Sequence, residues 1–205
     1  AVITGASRGI GRAIAERFAE QGAKVVVSSR KLDACDAVVA GIRERGGQAV
    51  AQDCHIGRKD ELQALVDRTN ERWGRIDILV CNAGITRDAV IWKMTEQAWD
   101  EVVAVNLKGC FTWCRAAAPV FRRRQGGRIV TIASINGLRG KVGQSNYAAS
   151  KAGVVALTKS LARELGASGV TVNCVAPGFI RTGMTGRLPA AVVEGSGASR
   201  SPFAL

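Results

Sequence analysis

The chain has 205 residues, 47% of them hydrophobic and 22% charged, the balance of one globular domain with a sizeable core and not of a disordered segment. It contains no run of roughly 18 apolar residues, and Ala1-Val-Ile-Thr-Gly5 lacks the basic segment of a signal peptide, so neither a membrane span nor secretion is predicted. A net charge of +12 suits an anionic partner, but nucleic acid is not favoured: the basic residues are scattered, and the one dense cluster, Arg122-Arg-Arg124, has no aromatics interleaved for base stacking.

Strand-like and helix-like patterns alternate along the chain. Residues 1–4 read as a short strand, and Ile10, Ile14 and Phe18 fall on one helical face that stops at Gly22. Val25-Val-Val27 is a buried strand, a helix is predicted over 31–45, and 49–54 is a third strand. A second round follows, with a helix over 59–73, a strand over 76–81, one long helical region over 96–124, a strand over 128–133, a helix over 145–166 and a strand over 170–175. Six continuously apolar strands separated by helices predict a Rossmann-type α/β fold, a doubly wound parallel sheet in a three-layer α/β/α sandwich. Residues 1–189 are expected to form one domain, and the small, polar stretch over 190–205 an irregular tail.

Thr4-Gly-Ala-Ser-Arg-Gly-Ile-Gly11 lies between the first strand and the first helix. Its glycines suit a tight turn and close approach of a pyrophosphate to a helix N-terminus, although any strand-to-helix turn favours glycine. After the second strand stands Ser28-Ser29-Arg30-Lys31, without the acidic residue that would bind an unphosphorylated ribose. Arg30, with Arg8, suits a 2′-phosphate and therefore NADP(H); the alternative is a solvated arginine before a helix. Asn82-Ala83-Gly84, Ser134 and Pro177-Gly178 all follow strand C-termini, the edge at which such sheets bind ligands. Tyr147-Ala-Ala-Ser-Lys151 puts a phenol and an ammonium four residues apart on one helical face. Such a pair is either a solvated edge or a proton-transfer site in which the cation favours the phenolate.

Six cysteines stand at 35, 54, 81, 110, 114 and 174, without a Cys-x-x-Cys pair. Cys54, Cys81 and Cys174 read as small hydrophobes in strands, which favours a reducing compartment and a cytoplasmic location. Cys110 and Cys114 share a helix, but no further ligand is evident near them and the single histidine, His55, is remote, so no metal site is predicted.

In their order and spacing, these motifs resemble the short-chain dehydrogenase/reductase family over residues 1–189, most closely its 3-oxoacyl-[acyl-carrier-protein] reductase branch. Asn82-Ala-Gly-Ile-Thr-Arg-Asp88 and Val175-Ala-Pro-Gly-Phe-Ile180 carry much of the likeness. The resemblance implies reduction of a 3-oxoacyl thioester, on acyl carrier protein or coenzyme A, to the 3-hydroxyacyl thioester. It implies Ser134 as donor to the substrate carbonyl, Tyr147 as general acid, Lys151 as ribose ligand that depresses the tyrosine pKa, and Asn106 as support for a proton-relaying water. Cofactor contacts are implied at Gly5, Ser7, Arg8, Gly9, Ile10, Gly11, Ser29, Arg30, His55, Ile56, Asn82, Ala83, Gly84, Tyr147, Lys151, Pro177, Gly178, Ile180 and Thr182. A homodimer or homotetramer is implied as well.

His55-Ile56 replaces the family's usual Asp-Val beside the adenine, and Ser168 stands where a carrier-docking arginine is expected, with Arg122-Arg-Arg124 near the other such position. The family commonly continues for roughly forty residues through a seventh strand. The chain also opens inside an apolar run, so the domain is expected to be incomplete at both ends. Two alternatives stand beside the thioester reductase: a related alcohol or ketone dehydrogenase, and a shortened cofactor-binding chain without activity.

Overall fold

The computed structural model describes residues 1–180 apart from Gly57. Six strands, β1 (Val2–Thr4), β2 (Val25–Ser29), β3 (Ala49–Asp53), β4 (Ile78–Cys81), β5 (Gly127–Ile132) and β6 (Val170–Val175), form one sheet in the order β3-β2-β1-β4-β5-β6. Every neighbouring pair is parallel. The helices between them are α1 (Gly9–Glu20), α2 (Leu32–Glu44), α3 (Lys59–Trp73), α4 (Glu96–Val103), α5 (Gly109–Arg123), α6 (Ile135–Arg139) and α7 (Ser145–Gly166). This is the Rossmann-type doubly wound arrangement that the alternating pattern predicts.

Successive strand residues point to opposite faces, and the core divides accordingly. Val2, Val26, Leu79, Ile129 and Val172 join one apolar cluster that includes Leu62, Leu65, Trp113, Phe121 and Val154 from α3, α5 and α7. Their neighbours Ile3, Val25, Val27, Val80 and Ile132 join the other, with Ala15, Ala19, Cys35, Val38 and Ile42 from α1 and α2. The apolar runs lack alternation because both faces are covered. On α1 the fully buried positions are Gly11, Ala15 and Ala19, one notch round from the larger Ile14 and Phe18, so small residues bring that helix close to the sheet.

The chain winds to one side of β1 through β2 and β3, then crosses to the other through β4, β5 and β6. The crevice where the winding reverses lies between the C-terminal ends of β1 and β4. Several details differ from the sequence expectation, beyond shifts of a residue at strand and helix ends. The helical region over 96–124 is interrupted by a π-helical segment, Ala104–Lys108. The fourth strand begins at Ile78 and not at Ile76, because the Ile76 carbonyl accepts from Arg124 Nη1 at 2.8 Å. A 3-10 turn at Ile91–Lys93 and the short α6 carry no periodicity long enough to announce them. The predicted tail over 190–205 lies outside the described residues.

Candidate active site

The glycine-rich loop and the loop after β4 are tied together across the switch point. Asn82 Nδ2 donates to the carbonyls of Thr4 and Gly5 at 2.9 and 3.2 Å. The backbone N–H groups of Asn82 and Ala83 donate to Thr4 Oγ1 at 3.0 and 3.1 Å. The packing leaves no space for side chains here. A Cβ on Gly11 would stand 2.4 Å from Asn82 Nδ2, and one on Gly5, whose φ is +64°, 2.8 Å from the Ala83 backbone. Asn82 is thus a brace between two loops. Arg8 sits at the N-cap of α1 without a side-chain cap, leaving the helix's first N–H groups free of side-chain competition. Ser7 and Ile10 are half-buried beside it, while Arg8 and Gly9 are exposed.

Ser134, at the end of β5, and Tyr147, in the first turn of α7, bring their hydroxyls near enough for Ser134 to act on the Tyr147 phenol. Ser134 Oγ also accepts from the Asn136 N–H at 3.2 Å, fixing its direction. Lys151 is buried one turn on; its Nζ donates to the Ile132 carbonyl at 2.6 Å and lies 5.8 Å from the centre of the Tyr147 ring. Burial lowers the Lys151 ammonium to about 8, with Cys110, Cys174 and Cys81 opposing. The Tyr147 phenol moves the other way. Burial raises it, the Ser134 hydrogen bond opposes the rise and Asp88 adds to it. The Lys151 ammonium is held by a strand-end carbonyl beside the ring, and burial sets the direction of the Tyr147 shift.

Asn106 lies in the π-helical segment, a distortion frequent at functional sites. Its Oδ1 accepts from the Ile85 N–H at 2.8 Å, and its Nδ2 donates to the Ile85 carbonyl at 3.0 Å and to Ser150 Oγ at 3.1 Å. Asn106 Oδ1 and Lys151 Nζ converge on Gly84: a Cβ there would be 3.3 Å from the first and 3.5 Å from the second. Asn106, Gly84, Lys151, Tyr147 and Ser134 accordingly gather at one end of the sheet.

The remaining sequence-predicted residues divide into two groups. Ser29 Oγ contacts Cys35 Sγ at 3.1 Å, while Arg30 is exposed. His55 is exposed and its backbone N–H donates to Glu61 Oε2 at 2.7 Å, whereas Ile56 is a core residue packed where a Cβ on Gly109 would otherwise sit, at 2.5 Å. The Pro177 carbonyl accepts from the Ile135 N–H at 3.0 Å, joining the segment after β6 to the start of α6. Gly178 opens onto free space and Ile180 is exposed. Thr182 lies outside the described residues.

Residues 1–192 match the family model described as short chain dehydrogenase. The chain belongs to that family. Among its curated relatives, the 3-oxoacyl-[acyl-carrier-protein] reductase of Synechocystis sp. is 47% identical over 191 residues, covering 93% of this chain and 77% of the relative. Proteins of the same name from Staphylococcus aureus and Thermotoga maritima are 46% and 42% identical, each over 92% of this chain and over 77% and 76% of the relative.

As a short-chain dehydrogenase the chain is an oxidoreductase, and the family implies a nicotinamide cofactor. The residues present fit one. The α1 N-terminus carries no side-chain cap, glycines line the turn before it, and Ser28-Ser29-Arg30 ends β2 without a carboxylate. Several residues that build this dehydrogenase site carry no clear signal in the sequence. Thr4 braces the loop after β4, and buried Asn146 holds the Arg87 and Ala98 carbonyls through Nδ2 while its Oδ1 accepts from the Tyr147 N–H at 2.7 Å. A chain of side chains runs from Asn136 Nδ2 to Gln144 and from Gln144 Nε2 to Asp88, at 3.0 and 2.8 Å. The signal available was a polar residue directly before Tyr147 and an amide three before it.

Proposed function

We propose that this chain is an NADPH-dependent reductase of 3-oxoacyl thioesters, carried on acyl carrier protein or coenzyme A. The observation that carries the reading is the convergence of Ser134, Tyr147 and Lys151 beside the loop that meets the uncapped α1 N-terminus. Gly5, Ser7, Gly9, Ile10 and Gly11 would hold the pyrophosphate; Ala83, Gly84, His55 and Ile56 would flank the adenosine, and Pro177, Gly178, Ile180 and Thr182 the nicotinamide end. Arg8 and Arg30, both exposed, would pair with a 2′-phosphate. When bound, the nicotinamide supplies the hydride.

The protein's share of the reaction is to place a carbonyl and hand it a proton. Ser134 Oγ and the Tyr147 hydroxyl, side by side at the end of the sheet, define where a substrate oxygen sits. Because burial raises the phenol, Tyr147 keeps its proton at neutral pH and is ready to donate it as negative charge develops on that oxygen. The phenolate left behind is balanced by the buried Lys151 ammonium. Lys151, at about 8, exchanges protons near neutrality and returns one to Tyr147; Asn106 fixes the floor of this path through Ile85 and Ser150.

An acyl chain is favoured by the apolar rim: Ile91, Trp92, Leu138 and Val142 are exposed, Trp92 by 79% and Val142 by 88%. The loops bearing these residues are joined by the Ala89 N–H donating to the Gly143 carbonyl at 2.9 Å. A carrier protein has fewer cations to dock on than the arginine run suggests. Arg124 is held by the Ile76 carbonyl and Asp77, leaving Arg122 and Arg123 exposed. Coenzyme A thioesters, or another ketone class, are the second reading. Measuring kcat/KM for acetoacetyl thioesters of acyl carrier protein and coenzyme A, with NADPH and NADH, tests both assignments; turnover of simple ketones alone would reject the thioester.

We infer also that residues 1–189 act as one domain and assemble as a homodimer or homotetramer through exposed Trp99 on α4 and Phe111 on α5, a reading that sedimentation analysis tests. Six free cysteines suit a cytoplasmic setting. Among the described residues, no helix is long and apolar enough to cross a membrane.

A further inference from the structure

Three cysteines from two elements meet in the core beneath the active-site loops. Cys81 ends β4, and Cys110 and Cys114 lie one turn apart on α5. Their three Sγ atoms all lie within 4.8 Å of one another, with 4.0 Å between Cys81 and Cys114. All three are at least nine-tenths buried, at 6%, 4% and 1% exposed, and the reduction proposed above uses none of them. Along the sequence Cys110 and Cys114 have no further ligand nearby; the fold supplies one from a strand 29 residues earlier in the chain than Cys110.

We propose that Cys81, Cys110 and Cys114 form a trigonal site for a soft, thiophilic ion, monovalent copper. The donors are all sulfur, which excludes the oxygen-seeking cations magnesium, calcium and manganese. They number three: among the described residues no fourth histidine, cysteine or carboxylate joins the group, so the tetrahedral set of structural zinc is not provided. Their spacing fits a planar three-coordinate ion. With a metal–sulfur bond of about 2.3 Å, a trigonal plane sets the sulfurs about 4.0 Å apart. The Cys81–Cys114 pair is already at that distance, and the others need close by no more than about 0.8 Å from the 4.8 Å limit.

Charge can be balanced locally. Copper held by two thiolates and one thiol carries one net negative charge, and the Lys151 ammonium is electrostatically coupled to both Cys110 and Cys81. Binding is a ligand exchange in which Cu(I) gives up its donor's ligands, three Cu–S bonds form and two thiol protons leave to solvent; nothing is oxidised or reduced. Because Cys81 immediately precedes Asn82, the ion would pin the loop after β4 to α5.

The test is anaerobic equilibration of the reduced protein with Cu(I) against a chromogenic Cu(I) chelator, with X-ray absorption on the retained metal. One copper per chain is expected, with three sulfur scatterers at about 2.3 Å and no nitrogen or oxygen. Cys114→Ala and Cys81→Ala should each weaken retention by about 100-fold or more, since outer-shell changes alone cost up to that much. Cys35→Ala, on α2 against the opposite face of the sheet, should leave it unchanged. If Cys81→Ala fails to fold, the wild-type spectrum and Cys114→Ala still decide. Loss of all copper to the chelator, equal retention by the Cys114 and Cys35 variants, or a spectrum with light-atom ligands would overturn the site and leave three buried thiols acting as small hydrophobes.

Discussion

Asn106→Ala removes one side chain and three hydrogen bonds, to the N–H and carbonyl of Ile85 and to Ser150 Oγ. Asn106 is 1% exposed, so water does not replace them. At roughly 1 kcal/mol for each lost bond, and somewhat more where the Ile85 groups stay buried and unpaired, the cost is about 3–4 kcal/mol. For a domain of this size that lowers the melting temperature by roughly 6–16 °C, at 2–4 °C per kcal/mol. Asn106→Asp sharpens the test, because a carboxylate still accepts from the Ile85 N–H but cannot donate to the Ile85 carbonyl. It should fall at least as far as the alanine variant at neutral pH and recover partly in acid, where a protonated carboxyl can donate. Calorimetric or fluorescence melting of both variants is the assay. Melting within about 2 °C of wild type for Asn106→Ala would refute the bracing role of this residue.

Lys151 gives stability a pH signature. Its folded pKa of about 8 lies below the unfolded value of 10.5, so between these values the unfolded chain binds more protons and wild-type stability rises with pH, by roughly 3 kcal/mol in total. Urea titrations of wild type and Lys151→Met across that window should show the rise only in wild type; parallel profiles would contradict it. Gly84→Ala puts a methyl 3.3 Å from Asn106 Oδ1 and 3.5 Å from Lys151 Nζ, and should leave the chain folded while lowering turnover by about tenfold or more through misplacement of those groups. Arg30→Glu should cut kcat/KM with NADPH by about 10- to 100-fold, the worth of a charge-assisted hydrogen bond, and spare NADH. Equal losses with both cofactors would count against the 2′-phosphate assignment.

What the sequence made legible follows from local physics. Period-two and period-3.6 patterns need only neighbouring residues, so the six strands and the main helices are readable, α7 from Ser145 to Gly166. The common helical face of Tyr147 and Lys151 followed for the same reason. Features set by distant partners were not readable. The π-helical turn at Ala104–Lys108 leaves no mark on hydrophobic spacing, and Asn106 reveals its task only once Ile85 and Ser150 are folded against it. The Lys151 ammonium is directed by the Ile132 carbonyl, 19 residues away, and the burial that raises the Tyr147 phenol exists only once the chain is folded. Cys81 joins Cys110 and Cys114 only through the packing of α5 on β4, and Thr4 reads as an ordinary strand residue until Asn82 and Ala83 donate to it.

The most direct test of the central claim is Tyr147→Phe assayed for reduction of an acetoacetyl thioester with NADPH. The hydroxyl lies beside Ser134 and its removal should leave folding and cofactor affinity near wild type. A fall in kcat of about 10²- to 10⁴-fold is expected, the usual worth of a positioned general acid. A folded variant that keeps kcat within about threefold of wild type would contradict the assignment of Tyr147 as the proton donor.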